Sequence, residues 1–353
     1  MNKANSLPLS FLIVGTGAVG GLVGGALAAA GERVTFIVRP DKVEAIRSNG
    51  IMITGDMGTL SVPNPQLATN ISTTLANHHY DIVILAVKSF HTDSVIKHLL
   101  SARIPTPPVL CLQNGVDNET KIANSLGLDH VVSGTLTTAV SNPEPGMIVV
   151  ERQRGVGLAS GHTLSLKLLH AFSGAGFPTL LYPNAQAMKW SKLLTNLIAN
   201  ATAAICDISP AEIFAHDRLF RLEITALRET LSVMQGMRIP VVQLPGTPSH
   251  WLGFALRRLP EWTYRSFLTR KLVEGRGGKP PSLHVDLTSN RGNSEVHFLN
   301  GAIVRHAKSL GLATPVNNGL SQILGNIVRG EISWDQYRAK PDRLADQLLS
   351  GHY

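Results

Sequence analysis

The sequence predicts an α/β protein in which a doubly wound parallel sheet is followed by an all-helical domain. Up to about residue 183, short apolar runs alternate with helical patterns, an order typical of a parallel sheet covered by helices. Beyond that residue, long helical patterns dominate to the C-terminus. The 353 residues are enough for two domains, which we place at residues 1–183 and 184–353.

Four apolar runs predict buried parallel strands, because each is short and is bounded by turn residues. These runs are Leu9–Val14, Arg33–Val38, Asp81–Val87 and Pro108–Leu112. A small-residue helix over Gly20–Ala30 separates the first two and completes a βαβ unit. Val131–Val150 predicts further β structure with a turn at Asn142–Gly146.

The composition indicates a globular protein and gives no reason to expect nucleic-acid binding. Hydrophobic residues make up 44% of the chain and charged residues 16%, as in ordinary folded domains. The net charge of +8 comes from scattered Lys and Arg, so a solvated basic surface is the simplest interpretation. Cys111 and Cys206 occur in no metal-binding spacing, which favours reduced thiols in a cytoplasmic protein with no metal site.

The N-terminus allows an alternative interpretation as a signal peptide or membrane span. No charged residue occurs from Ala4 to Gly31, and Ala26–Ala30 resembles the small residues that precede a cleavage site. The many glycines in this stretch would weaken a membrane helix, and they occur where a nucleotide-binding turn requires them. We therefore expect no stable membrane insertion.

The segment Val241–Lys279 is an insertion in which aromatic and basic residues are mixed. Pro260 divides it, which predicts two short amphipathic helices. A membrane-surface or partner-binding role is one interpretation. A surface hairpin packed on the second domain, with a loop at Gly275–Lys279, is the other.

A glycine-rich motif follows the first predicted strand and opens the first predicted helix. Its residues are Gly15, Thr16, Gly17, Ala18, Val19 and Gly20. In this context the first glycine permits a tight turn, the second lets a pyrophosphate approach the backbone, and the third lets the helix pack closely on the strand. The helix N-terminus then offers free N–H groups to phosphates. A glycine-rich turn without a ligand is the alternative.

The residue at the end of the second strand distinguishes the two nicotinamide cofactors. An acid at this position binds the ribose 2′-hydroxyl of NAD. This chain has Arg39 there, and the first acid after the strand is Asp41. A guanidinium can donate paired bonds to a 2′-phosphate, so the sequence predicts NADPH. A solvated surface arginine is the alternative.

Two polar residues follow later strands of the predicted sheet. Lys88 comes directly after Asp81–Val87, and Asn114 follows the next strand within Gln113-Asn114-Gly115. Ligands of open α/β sheets bind at the carboxyl ends of the strands. We therefore expect Lys88 to bind the cofactor and Asn114 to contact cofactor or substrate, with an ordinary loop role as the alternative for each.

Three polar residues interrupt an apolar helical stretch in the second domain. Lys192, Asn196 and Asn200 recur at i, i+4 and i+8, which predicts one polar stripe of about 12 Å along a single helix face. A buried ammonium and two buried amides need partners, and a bound carboxylate or hydroxyl would supply them. A satisfied interhelical polar contact is the alternative.

Taken together, the motifs resemble the ketopantoate reductase family over nearly the whole length of the chain. The ordered set is more specific than any of its members. It comprises Gly15–Gly20, Arg39, Val87–Ser89, Gln113–Val116, Gly134–Val140, Trp190–Asn196 with Asn200, Pro281-Ser282, Asp286 and Ser294–Gly301.

The resemblance implies a Rossmann-type domain followed by a helical domain, with the active site between them. It also implies a role for each matching position. Lys192 would be the proton donor, with Glu295 near it and the nicotinamide ribose. Asn196, Asn200 and Ser282 would bind substrate, Asn114 would lie between substrate and cofactor, and Val140 would contact the cofactor through its backbone.

The implied activity is NADPH-dependent reduction of 2-dehydropantoate to pantoate. Three departures keep other interpretations open: His297 stands where an acid is usual, Pro210 stands near a substrate-binding asparagine of some members, and the segment Asp286–Glu295 is a residue longer than in some. The alternatives are a related reductase of another 2-oxo acid or carbonyl, and a non-catalytic NADPH sensor. A homodimer is also compatible with the sequence.

Overall fold

The computed structural model describes residues 8–265, 280–289 and 292–349. The chain divides into two compact units. The first contains the residues up to Gln113, Asn118–Ala185 and Pro245–Thr247, and the second contains Asn114–Asp117, Gln186–Leu244 and the residues from Pro248 onward. The four residues Asn114–Asp117 group with the second unit although they lie within the predicted first domain, residues 1–183.

The strands all belong to the first unit. They are β1 (Ser10–Val14), β2 (Arg33–Ile37), β3 (Ile51–Gly55), β4 (Leu60–Val62), β5 (Gln66–Ala68), β6 (Ile82–Leu85), β7 (Val109–Cys111), β8 (Val131–Leu136), β9 (Ala139–Glu144), β10 (Met147–Arg152), β11 (Val156–Ala159) and β12 (Thr179–Tyr182). All four predicted strands are present, each one to three residues shorter than predicted.

The main sheet has the order β12-β11-β8-β7-β6-β1-β2-β5. The six strands from β8 to β5 are parallel, and every residue of β1 is buried, as a strand covered on both faces requires. The predicted Rossmann-type doubly wound parallel sheet is therefore confirmed, and one pair of neighbouring strands within it is antiparallel. β11 runs antiparallel to β8, because the chain returns through β9 and β10 without the crossover helix that a parallel neighbour needs.

The helices of the first unit cover this sheet. They are α1 (Ala18–Ala29), α2 (Pro40–Asn49), α3 (Ile71–Asn77), α4 (Thr92–Ser101), α5 (Asn118–Leu126) and α6 (Ser165–Gly174). A second sheet of order β4-β3-β10-β9 lies beside α1. The predicted turn at Asn142–Gly146 is shorter than expected: β9 extends to Glu144, and only Pro145 and Gly146, which has a φ of +86°, turn the chain into β10.

The uncharged N-terminal stretch is part of the sheet unit. Its described part forms β1 and α1, and residues 20–27 of α1 are buried. Within the described ranges, no helix is both long enough and apolar enough to cross a membrane.

Within the described residues, the regular elements of the second unit are helices, which confirms the predicted all-helical domain. Its helices are α7 (Ala185–Leu197), α8 (Ala201–Cys206), α9 (Pro210–Ala215), α10 (Asp217–Gly236), α11 (Ser249–Arg258), α12 (Ser282–Thr288), α13 (Asn300–Ser309), α14 (Pro315–Arg329) and α15 (Pro341–Leu349). Short 3-10 helices lie at Glu295–Phe298 and Trp334–Gln336 in this unit, and at Ser89–His91 and Leu128–His130 in the first unit.

The inserted segment begins as predicted. α11 is the first of the two expected helices, and residues 261–265 after Pro260 are also helical. Tyr264 is fully buried and its hydroxyl accepts a bond from Arg228 Nη2 at 3.2 Å, which ties this part of the insertion to α10. Trp262 is exposed. Residues 266–279, including the predicted loop Gly275–Lys279, lie outside the described residues.

Candidate active site

The glycine-rich turn joins β1 to α1, and two of its glycines are required by backbone contacts. Gly15 has a φ of +106°, and a Cβ there would lie 2.8 Å from the backbone nitrogen of Val87. A Cβ on Gly20 would overlap the carbonyl oxygen of Gly15, so only glycine lets the helix pack this closely on the turn.

Gly17 differs from the other two glycines because nothing in the described protein requires it. Its φ is −78°, which any residue can adopt, and an added Cβ would meet no described heavy atom within 4 Å. It is the N-cap of α1, yet it has no side chain with which to bind the free N–H groups of the first helical turn. Those N–H groups and the open space at Gly17 fit a pyrophosphate.

The strand order brings two cationic residues beside this turn. β6, β1 and β2 are neighbours in the sheet, and Lys88, the glycine turn and Arg39 follow them in that order. The Arg39 side chain is 56% exposed and pairs with Asp41 at 3.0 Å. Burial lowers the pKa of His91, in the 3-10 helix after β6, and the positive charge of Arg39 adds to the effect.

A buried polar network below this edge was missed by the sequence analysis. Gln113 Nε2 donates to the carbonyl of Val87 at 3.0 Å and to Thr92 Oγ1 at 2.9 Å, and Asn118 Nδ2 donates to Ser89 Oγ at 3.1 Å. These bonds join the ends of β6 and β7, and so fix the backbone on both sides of Lys88. Because they connect segments far apart in the chain, no local pattern could have revealed them.

The residues of the first unit fit a nicotinamide dinucleotide. The uncapped helix terminus, the space at Gly17 and the absence of any charged residue in the sequence of α1 suit a pyrophosphate. Arg39 and Lys88 supply positive charge at the flanking strand ends. Val140 is buried in β9, the neighbour of β10 in the second sheet.

The second unit brings together predicted substrate residues from three separate parts of the chain. Asn196 Nδ2 donates to Asn114 Oδ1 at 2.9 Å. Asn200 Nδ2 donates to the carbonyl of Asn196 at 3.0 Å and to Ser282 Oγ at 3.2 Å. These four residues, which we call the amide cluster, form one connected hydrogen-bonded series.

The prediction of a single helix through Lys192, Asn196 and Asn200 is wrong. α7 ends at Leu197, Ala199 has a φ of +49°, and Asn200 is the N-cap of α8. The break is stabilised by the buried carboxylate of Glu223, which accepts bonds from the backbone N–H of Ala199 at 2.8 Å and from the hydroxyl of Thr202. Lys192 and Asn196 still share a face of α7 at i, i+4.

Asn200 has a structural function in addition to its predicted one. Its Oδ1 accepts from the backbone N–H of Leu283 at 3.0 Å, in the first turn of α12. Both amide hydrogens and the amide oxygen of this buried side chain therefore have protein partners. Asn200 holds Ser282 in place, whereas Lys192, Asn196 and Asn114 are each half-buried.

Glu295 begins a 3-10 helix in the second unit and is 2% exposed. Its backbone N–H donates to Asp286 Oδ2 at 3.2 Å, and Ser294 caps the helix by accepting from the N–H of Val296 at 3.2 Å. The family motif residues Asp286 and Glu295 are therefore joined directly. Sequence alone indicated both residues but gave no reason to pair them.

Two of the departures from the family pattern have structural explanations. Pro210 is the first residue of α9, whose capping box is formed by Ser209 and Glu212, so here it starts a helix. His297 is solvent-exposed but lies against Gly325, where a Cβ would lie 2.8 Å from its Nε2. Partial burial, followed by the charges of Arg329 and Arg305, lowers the pKa of His297 and favours its neutral form.

The chain was compared with known families. It matches the family model described as ketopantoate reductase PanE/ApbA over residues 11–161, and the model of the C-terminal part of that family over residues 184–328. It is 28% identical to the 2-dehydropantoate 2-reductase of Pyrococcus horikoshii over 316 residues, covering 88% of this chain and 94% of the relative. The corresponding enzyme of Archaeoglobus fulgidus is 27% identical over 322 residues, with 90% and 96% covered.

Solved structures show the same fold. A PanE/ApbA family ketopantoate reductase from Ralstonia eutropha JMP134 superposes with a TM-score of 0.76 at 25% identity, covering 92% of this chain and 99% of the other. A D-mandelate dehydrogenase solved with NADH and anilino(oxo)acetate has a TM-score of 0.73 at 21% identity, with 95% and 99% covered, and is similar in fold alone.

The chain therefore belongs to the ketopantoate reductase PanE/ApbA family, as the sequence motifs predicted. It is an oxidoreductase of the 2-dehydropantoate 2-reductase type, and it uses a nicotinamide cofactor.

Proposed function

Because the chain is a member of this family, we propose that it reduces ketopantoate to pantoate with NADPH. The observation that carries the proposal is the amide cluster, which joins three family motifs, at Asn114, Asn196–Asn200 and Ser282, by hydrogen bonds. A 2-oxo acid with hydroxyl and carboxylate groups needs several donors held in fixed positions. Asn196 and Ser282 supply an amide and a hydroxyl for this purpose.

The cofactor preference is proposed from the first unit. The backbone N–H groups at the start of α1 bind the pyrophosphate, while Arg39 and Lys88 neutralise phosphate charge at the neighbouring strand ends. Arg39 releases Asp41 and donates to the 2′-phosphate, which a carboxylate at this position would repel. Val140, through its backbone, and Glu295 are the remaining proposed contacts to the cofactor.

The proposed chemistry needs a hydride from the cofactor and a proton from a lysine. Bound NADPH supplies the hydride that reduces the keto carbon. Lys192 donates its Nζ proton to the carbonyl oxygen as that oxygen gains the electron pair of the broken π bond. The keto acid thereby becomes a 2-hydroxy acid, the lysine becomes neutral, and the cofactor is left as NADP⁺. Glu295 stabilises the charged form of Lys192 before transfer. Proton donation of this kind contributes about 10²- to 10⁴-fold to the rate.

A panel of 2-oxo acid substrates tests this proposal most broadly. NADPH oxidation is followed at 340 nm (the absorbance band of the reduced nicotinamide) with ketopantoate and with other 2-oxo acids of different branching. We expect the highest kcat/KM with ketopantoate. A higher value with another 2-oxo acid would identify a related reductase. This is the second candidate function, because Pro210 stands near the position where some family members have a substrate-binding asparagine. NADPH binding without turnover of any member would identify a sensor.

Two predictions concern the protein as a whole. We infer a cytoplasmic enzyme that acts on a small molecule, and a homodimer remains a prediction. Cell fractionation checks the location, and light scattering coupled to size-exclusion chromatography checks the mass in solution.

A further inference from the structure

Asp117 lies at the centre of an ion-pair cluster in the second unit. Its Oδ2 accepts from Arg305 Nη2 at 2.6 Å, and its Oδ1 accepts from His306 Nε2 at 2.8 Å. Burial acts to raise the pKa of Asp117, but the hydrogen bonds and charges of His306 and Arg305 outweigh it and hold the pKa below the ordinary value. Asp117 is therefore an anion with two directional partners.

The first connection of this cluster leads to Asn114. Asp117 ends the four-residue segment Asn114–Asp117, which groups with the helical unit. Val116 packs against the helical core, and Asn114 accepts the bond from Asn196. The position of the Asn114 amide is thus fixed on one side by Asn196 and on the other by the ion pairs of Asp117.

The second connection leads to the helix that carries Lys192. The His306 and Trp190 rings pack edge to face with the ring centres 5.1 Å apart. Trp190 is 3% exposed and lies on α7, two residues before Lys192. A histidine held by Asp117 therefore packs directly against the turn of α7 from which the proposed proton donor projects.

The third connection leads to Glu295. Arg305 Nη1 donates to the carbonyl of His297 at 2.9 Å, while its Nη2 binds Asp117. His297 lies in the 3-10 helix that begins with Glu295. The planar fork of one guanidinium thus joins Asp117 to the element that carries the proposed lysine partner.

We propose that Asp117 is a positioning residue for the reduction. Through Arg305 and His306 it holds at the same time the three elements that carry Asn114, Lys192 and Glu295. The assignment of catalytic roles to those three residues rests on the proposed function. The existence of the ion-pair cluster does not rest on the proposed function, because its contacts are made between residues of the protein. A misplacement of about 1 Å in a reacting group can cost about 100-fold in rate.

The kinetic test compares Asp117→Asn with a matched control. Asp342 also faces a histidine and an arginine, with His216 Nε2 at 3.3 Å and Arg218 Nη1 at 3.7 Å, but on elements that carry no proposed site residue. We expect kcat to fall about 10- to 100-fold in Asp117→Asn with an unchanged NADPH dissociation constant, and to stay near wild type in Asp342→Asn. An equal effect of both variants on kcat would overturn the proposal.

Hydrogen–deuterium exchange of the protein without substrate gives a second readout that needs no activity. In Asp117→Asn we expect faster exchange in three separated segments, 114–117, 189–193 and 295–298, with none of these changes in Asp342→Asn. Faster exchange confined to 114–117 would contradict the proposal. If the wild type reduces no 2-oxo acid, the proposed function fails, and the exchange pattern still decides whether Asp117 holds the three elements.

A further variant separates the connection through Arg305 from the connection through His306. It also provides a test of the proposal if Asp117→Asn does not fold. Arg305→Lys keeps the charge but removes the fork that reaches both Asp117 and His297. We expect faster exchange in 295–298 and no change in 189–193, because His306 still links Asp117 to Trp190. Faster exchange in both segments would show that the connections are not separate, contrary to the proposal.

Discussion

The glycine turn of the first unit and the amide cluster of the second are built in different ways. The turn is a continuous run of six residues whose backbone contacts leave no room for a Cβ at Gly15 or Gly20. The amide cluster draws on three separate parts of the chain, joined by side-chain hydrogen bonds. The turn should fail completely when Gly15 or Gly20 is changed, whereas the amide cluster should lose stability and activity in steps.

The largest effect is expected from Gly20→Ala, with Gly17→Ala as its matched control. The added methyl at Gly20 overlaps the Gly15 carbonyl, so the turn must open, and we expect no measurable NADPH binding. Gly17→Ala meets open space, so its melting temperature should equal that of wild type while NADPH binding weakens. Calorimetry measures the melting temperatures of the two variants, and fluorescence titration measures their NADPH binding. Equal effects of the two substitutions would contradict this account of the turn.

Arg39→Ala tests whether charge at the second strand distinguishes the cofactors. We expect the dissociation constant for NADPH to rise about 10- to 100-fold, as expected for the loss of a charge-assisted bond pair, while that for NADH stays unchanged. The control is Arg47→Ala, which removes another exposed arginine, one that forms an ion pair with Glu44 on α2. A wild type that prefers NADH would show that Arg39 does not bind a 2′-phosphate.

Asn200→Ala should affect stability more than Asn196→Ala does. Removing the Asn200 side chain leaves the buried N–H of Leu283 and the Ser282 hydroxyl without their partner, a loss of about 1–3 kcal/mol in the free energy of unfolding. Asn196 is half-buried, and its side-chain amide donates to Asn114. Urea unfolding of both variants measures the difference. A larger loss for Asn196→Ala would contradict the helix-holding function of Asn200.

The smallest effect concerns acid stability and Asp117. Because the pKa of this carboxyl is lowered in the folded state, its contribution to stability is complete above the unfolded pKa and is lost as pH falls through the folded pKa. Unfolding free energies measured between about pH 5 and pH 2 should therefore fall more steeply for wild type than for Asp117→Asn. Parallel curves would show that these ion pairs contribute nothing to folding.

The parts of the molecule that depend on local sequence could be predicted. β1, the glycine turn and α1 follow one another in the chain, and their spacing alone indicates a nucleotide-binding unit. Arg39 and Lys88 could be placed as well, because strand order puts the residues after β2 and β6 beside the turn.

Features that depend on distant partners could not be predicted from spacing. The helix break at Ala199 is stabilised by Glu223, which lies 24 residues later, and the extrapolated stripe through Asn200 failed for that reason. The cluster of Asp117, Arg305 and His306 spans 188–189 residues. In the local sequence, this cluster is indicated only by Asp117 itself, the charged residue that directly follows the motif Gln113–Val116.

The central claim is that Lys192 donates the proton in the reduction, and its replacement by methionine tests it most directly. Methionine keeps an apolar side chain of similar length on α7 and removes the ammonium. With saturating NADPH and the preferred 2-oxo acid, we predict a kcat lower by about 10²- to 10⁴-fold and an unchanged dissociation constant for NADPH. A kcat equal to that of wild type would contradict the account.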